Sequence, residues 1–346
     1  MDPPLPELIA PWYVLNRRDL PWRENREPYP VWLSEIMLQQ TRVETVRPYY
    51  ERFLAELPTI GKLSAASEEQ LYKLWEGLGY YSRVRNLQKA AGVIMREYGG
   101  IFPRQYEQIV RLPGIGPYTA GAIASICFDA PTPAVDGNVL RVIARIEERT
   151  EDISLPAVKG EIRDALAQIY PKSHCGDFTQ GLMELGATVC ISSGKPACEI
   201  CPVKEICGAY QNGTTDEIPW KKPAKTRKRE KITVLVLICG GKFAIRKRGE
   251  KGLLAGLWEY PNAPGWLTPE QAISLAAEWG AQPGSIAKVS EKAHIFTHIE
   301  WHMRFYIIPC TERPAPFVWA SGRELRERYA IPAAFQLPDF GESRNQ

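Results

Sequence analysis

Leu112-Pro113-Gly114-Ile115-Gly116-Pro117-Tyr118-Thr119-Ala120-Gly121, followed by Val135-Asp136-Gly137-Asn138-Val139, is the stretch around which the rest of the chain falls into place. The two glycines predict a tight turn, Pro117 suits a first helical position, and Ala120, Ile123, Ala124 and Cys127 recur at helical spacing. Such a turn aims backbone N–H groups of the Gly114–Tyr118 stretch at the positive end of a helix, where a phosphate binds without a basic side chain. A bare Gly-x-Gly turn also serves an ordinary helix-turn-helix. A second helix is expected behind it, with Val139, Val142, Ile143 and Ile146 on one face and Asp136 at its N-terminus. An N-cap role accounts for such an aspartate and leaves room for a second role. Helix N–H donors favour the ionised carboxylate there.

Outward from this stretch, the 346 residues suffice for two domains, and 45% apolar with 24% charged residues is ordinary for a globular protein. A net charge of +3 decides little, but Lys221, Lys222, Lys225, Arg227, Lys228, Arg229 and Lys231 crowd one short segment. Neither a signal peptide nor a membrane span is legible, so an intracellular, cytoplasmic location is expected. In that reducing setting eight cysteines are ligands or buried thiols rather than disulfides.

Before Cys190 the chain reads almost wholly as helices. A helix before Leu20 is predicted to bury Leu8, Ile9, Trp12 and Leu15, and another over Val31–Val43 to bury Leu33, Ile36, Met37 and Val43. Glu35 falls beside that second stripe. It reads either as a surface glutamate or as a carboxyl raised by apolar neighbours to a general acid. Ser67 and Ser82 start further helices, Gly99-Gly100 ends the second of them, one follows Leu155, and Asp177 is expected to cap the helix carrying Phe178, Leu182 and Leu185. Then come Cys190, Cys198, Cys201 and Cys207, a spacing that fits zinc or an iron–sulfur cluster. After the basic segment, Ile232–Ile238, Gly240-Gly241 and Lys242–Ile245 read as a hairpin. Thr268 and Ser321 cap two helices, and His302–Ile308 alternates as a strand.

The turn and aspartate just described resemble the helix-hairpin-helix and catalytic aspartate of the endonuclease III family of DNA glycosylases. Within it the chain is most similar to MutY-type adenine DNA glycosylases. Ser34-Glu35-Ile36-Met37-Leu38-Gln39-Gln40-Thr41, Gly77-Leu78-Gly79-Tyr80-Tyr81-Ser82-Arg83 and Met183-Glu184-Leu185-Gly186-Ala187 resemble three further blocks of that family. Leu254-Ala255-Gly256-Leu257-Trp258-Glu259-Tyr260-Pro261 resembles its Nudix-like C-terminal domain, without the Arg-Glu-x-x-Glu-Glu helix of magnesium-dependent Nudix hydrolases.

The resemblance implies an all-α helix-hairpin-helix glycosylase domain over residues 1–219, with a six-helix barrel over about 28–134 and a cluster part from 1–27 and 135–219. A basic linker over 220–230 and an α/β Nudix-like lesion-recognition domain over 231–346 complete it. It implies Glu35, Asp136, Tyr118 and Asn138 as catalytic, and Cys190, Cys198, Cys201 and Cys207 as ligands of a [4Fe–4S] cluster. The first cysteine gap is one residue longer than the family's. Gly114, Gly116 and Tyr118 would grip the DNA backbone, and Gln40 and Tyr80 would enter the duplex. Trp22, Arg23, Leu38 and Gln180 would line the adenine pocket, though Trp22 and Leu38 also read as core. Phe296, Thr297 and His298 would read 8-oxoguanine, with threonine where the family has serine. The implied partner is double-stranded DNA with 8-oxoguanine:adenine or guanine:adenine mispairs, bound by a monomer without membrane contact. Tyr118 stands where strand-cutting relatives carry a Schiff-base lysine, and no lysine lies between Lys89 and Lys159. A bifunctional glycosylase on oxidised pyrimidines and a non-catalytic DNA-binding protein are the alternatives.

Overall fold

The computed structural model describes residues 4–223 and 226–337, so Lys225 and positions 338–346 of the expected domain lie outside the described residues. In chain order the helices are α1 (Leu5–Asn16), α2 (Pro28–Met37), α3 (Val43–Glu56), α4 (Ile60–Ala65), α5 (Glu68–Trp75), α6 (Ser82–Glu97), α7 (Tyr106–Ile109) and α8 (Pro117–Phe128). They continue with α9 (Gly137–Ile146), α10 (Pro156–Ile169), α11 (Cys175–Thr188), α12 (Gly208–Gln211), α13 (Pro269–Glu278) and α14 (Gly322–Glu327). The strands are β1 (Lys228–Cys239), β2 (Lys242–Lys247), β3 (Trp258–Glu259), β4 (Asn262–Pro264), β5 (Lys288–Ile295), β6 (Ile299–Pro309) and β7 (Val318–Ser321). Residues 4–66 with Arg85–Pro223 form one compact unit, and Ser67–Val84 with residues 226–337 form another. Among the described residues no helix is long and apolar enough to cross a membrane.

The first unit is all-helical. Pro117 occupies the first turn of α8, and Asp136 caps α9 by accepting from the Val139 N–H at 2.7 Å. α11 packs against α1, α8 and α9, and its Phe178, Leu182 and Leu185 join Ile9, Val139, Val142 and Ile143 in one apolar core. α8 is buried on nearly every side, and at Gly121 it meets the chain leading to Asp136. A Cβ there would lie 2.3 Å from the Pro133 carbonyl oxygen. Backbone cannot yield as a side chain does, so Gly121→Ala is expected to destabilise the protein by about 1–3 kcal/mol. Urea denaturation checks this, with Gly116→Ala as the control, because a Cβ at Gly116 meets nothing within 4 Å.

Three local expectations are corrected. The helix carrying Glu35 ends at Met37, and Val43 opens α3 instead of continuing the stripe. Leu15 is exposed, and the inner face of α1 is Leu5, Ile9 and Tyr13. Asp177 is not a cap, since α11 starts two residues earlier behind His174. Its carboxylate instead accepts from Arg26 at 2.6 Å, a partner 151 residues away.

In the second unit β1 is the central strand. It pairs in parallel with β6 from Lys228↔Ile299 to Ile238↔Pro309, and antiparallel with β2 through the Gly240-Gly241 turn, both at positive φ. The remaining pairings give the order β3-β2-β1-β6-β5, with β4 on β1 and β7 on β2. β1 is buried on both faces: Val234 and Val236 pack with Met303, Phe305 and Phe335, while Leu235 and Leu237 pack with Ala272 and Ala276 of α13. That explains its continuous apolar run. Lys228, Arg229 and Glu230 of the basic segment already belong to this strand. α5 belongs to this unit by contact: Lys73 Nζ donates to the Tyr329 carbonyl at 3.4 Å, and Glu76 accepts from the Ile331 N–H at 2.9 Å.

Candidate active site

Glu35 lies on the inner face of α2 with 7% of its surface exposed, so the surface reading is excluded. Burial pushes its carboxyl up to about 7. The hydrogen bond from Tyr118 pulls it down, the charge of Asp136 adds to the rise, and Arg23 opposes it. The Tyr118 hydroxyl donates to Glu35 Oε2 at 2.5 Å. Its own value lies well above the ordinary range through burial and then the Glu35 charge, so it remains a neutral donor.

Tyr118 reaches Glu35 because the preceding turn sets the start of α8. Gly114 has φ +75°, and a Cβ there would lie 2.5 Å from Asn86 Cβ, so both backbone and space call for glycine. The first-turn amides of Tyr118 and Thr119 have no acceptor within the helix. Gly116 is exposed and extended at the same end.

Asp136 is held at both oxygens. Oδ1 takes the Val139 N–H, and Oδ2 accepts from Asn138 Nδ2 at 2.9 Å. Asn138 Oδ1 accepts from Arg141 at 2.9 Å, and Arg141 also donates to the Gly186 and Cys190 carbonyls, each at 2.7 Å. Contrary to the expectation from the N-cap alone, the Asp136 carboxyl lies above its ordinary value. Burial dominates, and the donors from Val139 and Asn138 and the Arg141 charge offset only part of it.

On α11, Glu184 is fully buried and accepts from Arg18 Nε and Arg23 Nη2, each at 2.8 Å. Burial raises its carboxyl, but the two guanidinium groups outweigh that and hold it at about 2. Arg23 is thus locked beside Trp22, which is buried with its ring 5.4 Å from Tyr50. Leu38 at the end of α2 is half-buried, as is Gln180, one turn before Glu184. Arg141, Arg18 and Glu184 join these hydrogen-bond networks, and no role was read for them from the sequence. Only the Met183–Ala187 block pointed toward one of them.

Gln40 and Tyr80 share a local signature. Both are exposed non-glycine residues with positive φ, +58° and +45°. Such backbone strain gathers at functional sites. Within the second unit, the Tyr80 hydroxyl lies 2.8 Å from Thr297 Oγ1, and Arg83 sits over the Tyr80 ring at 5.6 Å. Thr297 and His298 are exposed on the β5–β6 turn, with Phe296 edge-on to Trp301 at 4.9 Å.

Cys190, Cys198, Cys201 and Cys207 line one pocket with Val142, Leu185 and Val189, where Arg145 donates to Cys190 Sγ at 3.2 Å. Among the described residues no three His, Cys, Asp or Glu side chains converge tightly enough for a single metal ion. Cys175, Cys239 and Cys310 are buried thiols, and Cys127 is half-buried.

Comparison with known proteins identifies the family and the fold. Residues 33–169 match the HhH-GPD superfamily base excision DNA repair protein model, and 233–337 match a NUDIX domain. The adenine DNA glycosylase of Mus musculus is 36% identical over 89% of this chain and 71% of its own length. That of Buchnera aphidicola from Acyrthosiphon pisum is 34% identical over 87% and 85%. Among solved structures, a thermostable thymine-DNA glycosylase superposes with a TM-score of 0.54 at 29% identity, covering 60% of this chain and 95% of that one. A trapped endonuclease III–DNA intermediate, at TM-score 0.51 and 24% identity, shares the fold. With its helical catalytic core, its Nudix-like sheet and relatives of this identity over most of its length, the chain belongs to the adenine DNA glycosylase family of base excision DNA repair.

Proposed function

We propose that the chain hydrolyses the N-glycosidic bond of adenine mispaired with 8-oxoguanine or guanine in duplex DNA, as a monomer and without an efficient strand-cutting step. The observation that carries this reading is a buried carboxyl, Glu35, and a half-buried one, Asp136, in one helical unit. Glu35 is raised to about 7, and Asp136 is held at a helix N-terminus by an amide, Asn138 and, through it, Arg141.

Glu35 delivers its proton to a ring nitrogen of the extruded adenine, which then leaves as a neutral base when the bond to C1′ breaks. Positive charge develops on the sugar, and the Asp136 carboxylate, already oriented, stabilises it. Water adds at C1′ and its proton restores the acid. Tyr118, in place of an amine nucleophile, gives no Schiff base with the opened sugar. Trp22, Arg23, Leu38 and Gln180 form the adenine pocket. Gln40 and Tyr80 enter the stack beside the partner base, and Phe296, Thr297 and His298 read 8-oxoguanine. Gly114, Gly116 and the Tyr118 amide grip a backbone phosphate. The functional division is 1–219, a linker over 220–230, and 231–346.

The four-cysteine pocket fits a [4Fe–4S] cluster, because the thiols surround a cavity instead of meeting at one point and Arg145 offers a donor to one of them. When bound, the cluster ties together the loop from Cys190 to Cys207. Cys201→Ser is expected to lower iron content and DNA affinity together, checked by iron assay and gel-shift titration. Undiminished affinity in an iron-free protein would count against the need for a cluster.

Single-turnover adenine release from duplexes with adenine opposite 8-oxoguanine, guanine and thymine tests the whole reading. Release from the first two, with strand breaks only after alkali, is expected; no release from any would overturn the substrate assignment. The pH profile carries a further prediction. Glu35 must be protonated to act, so the rate falls as pH rises through about 7, and because Asp136 must be ionised it also falls at acid pH where that raised carboxyl takes up a proton. Tyr118→Phe removes a donor that favours the ionised form, and the falling limb should therefore move to higher pH.

A further inference from the structure

Glu184 belongs to a sequence block to which the reaction as described assigns no step. It is the one charged side chain of α11 with no exposed surface, and it holds two arginines whose positive charges together exceed its own. Arg18 binds it with Nε, Nη2 and the backbone N–H, and Arg23 binds it with Nη2 while Nη1 donates to the Arg18 carbonyl at 3.1 Å. Arg23 also lies over the Tyr13 ring at 5.4 Å. The Arg23 contacts fix a guanidinium in the segment leading into α2, and its charge acts on Glu35. An unbalanced arginine next to a general acid works against it, because positive charge favours the proton's departure.

We propose that Glu184 is a positioning residue for the reaction: it holds Arg23 in place and cancels its charge before that charge reaches the Glu35 carboxyl. The inference rests on the reading of Glu35 as the acid. The titratable and charged groups acting on Glu35 are Tyr118 and Cys127 from α8, Asp136 at the start of α9, and Arg23 from the turn before α2. Tyr50 of α3, which also packs against α2, has its ring against Trp22. Of these, Arg23 alone carries positive charge, and Glu184 is its carboxylate partner.

The three charges of the clamp sum to one positive, so two substitutions move the balance in opposite directions. Glu184→Gln leaves both arginines uncompensated. Arg18→Met leaves Glu184 wholly to Arg23, with its bond from the backbone N–H of position 18 intact. The measurement is the pH profile of single-turnover adenine release opposite 8-oxoguanine, using the full chain. The falling limb is expected to move down by about 0.5–1 pH unit in Glu184→Gln and up by a similar amount in Arg18→Met, less than a charge in direct contact produces. Limbs unmoved in both, with only the plateau lowered, would assign Glu184 a purely structural role and overturn the proposal. Breaking a buried ion pair is strongly destabilising, so if Glu184→Gln does not fold, Arg18→Met decides alone by the same criterion. Failure of the unaltered protein to release adenine would instead strike the underlying reading, and it shows in the control before either variant is made.

Discussion

Replacing Glu35 by glutamine is expected to slow adenine release about a hundredfold to ten-thousandfold, the range that one general acid contributes. The amide keeps the shape of the side chain and can still accept from Tyr118, but it has no proton to give a leaving purine. Binding of mispaired duplex should be retained, so gel-shift affinity and single-turnover rate will part company. The same substitution should stabilise the protein above neutrality. The folded protein holds this carboxyl at about 7 against an ordinary 4.5. Its contribution is therefore fully present below about 4.5 and is lost as pH rises through 7. At pH 8 the penalty approaches about 3 kcal/mol, and glutamine removes it. A more stable but inactive variant at pH 8, with the stability difference gone at pH 4, is the expected pair of results. An active variant would remove Glu35 from the mechanism.

Asp136→Asn should cost about a hundredfold to a thousandfold in rate, typical for loss of a preorganised electrostatic partner of the transition state. The change is selective because asparagine caps a helix about as well as aspartate. Its side-chain oxygen can still accept from the Val139 N–H, so α9 keeps its start and the fold its stability. What disappears is the negative charge opposite the developing positive charge on the sugar. Because the Asp136 charge also helps to raise Glu35, the remaining activity should show its falling limb at lower pH than the parent. Circular dichroism and melting temperature verify that the loss is chemical. A rate within a few-fold of the parent would assign Asp136 to capping alone.

Most of the secondary structure was legible because its signals are local. Pro117, Asp136, Thr268, Ser321 and the Gly240-Gly241 turn act within a few residues of themselves, and each stands where its type requires. The failures are equally physical. Asp177 has the chemistry of a cap, but Arg26, far away in the chain, claims its carboxylate. The cysteines lie far in sequence from Asp136, and that separation hides the link through Arg141, which donates to the Cys190 carbonyl and to Asn138 at once.

By itself, then, the sequence determined the helical half with its Gly-x-Gly turn, the strand-built half, the four-thiol loop and the two carboxyls of the proposed chemistry. Tertiary structure alone decided that Glu35 is buried and therefore raised to about 7, that burial outweighs the helix donors at Asp136, and that Glu184 clamps Arg18 and Arg23. It also decided that Ser67–Val84 groups with the strands beyond residue 225 and not with its neighbours in sequence. Caps and periodicity are properties of a few adjacent residues. Desolvation and charge balance depend on which side chains meet across 80 to 170 positions of chain, and only the packed fold brings them together.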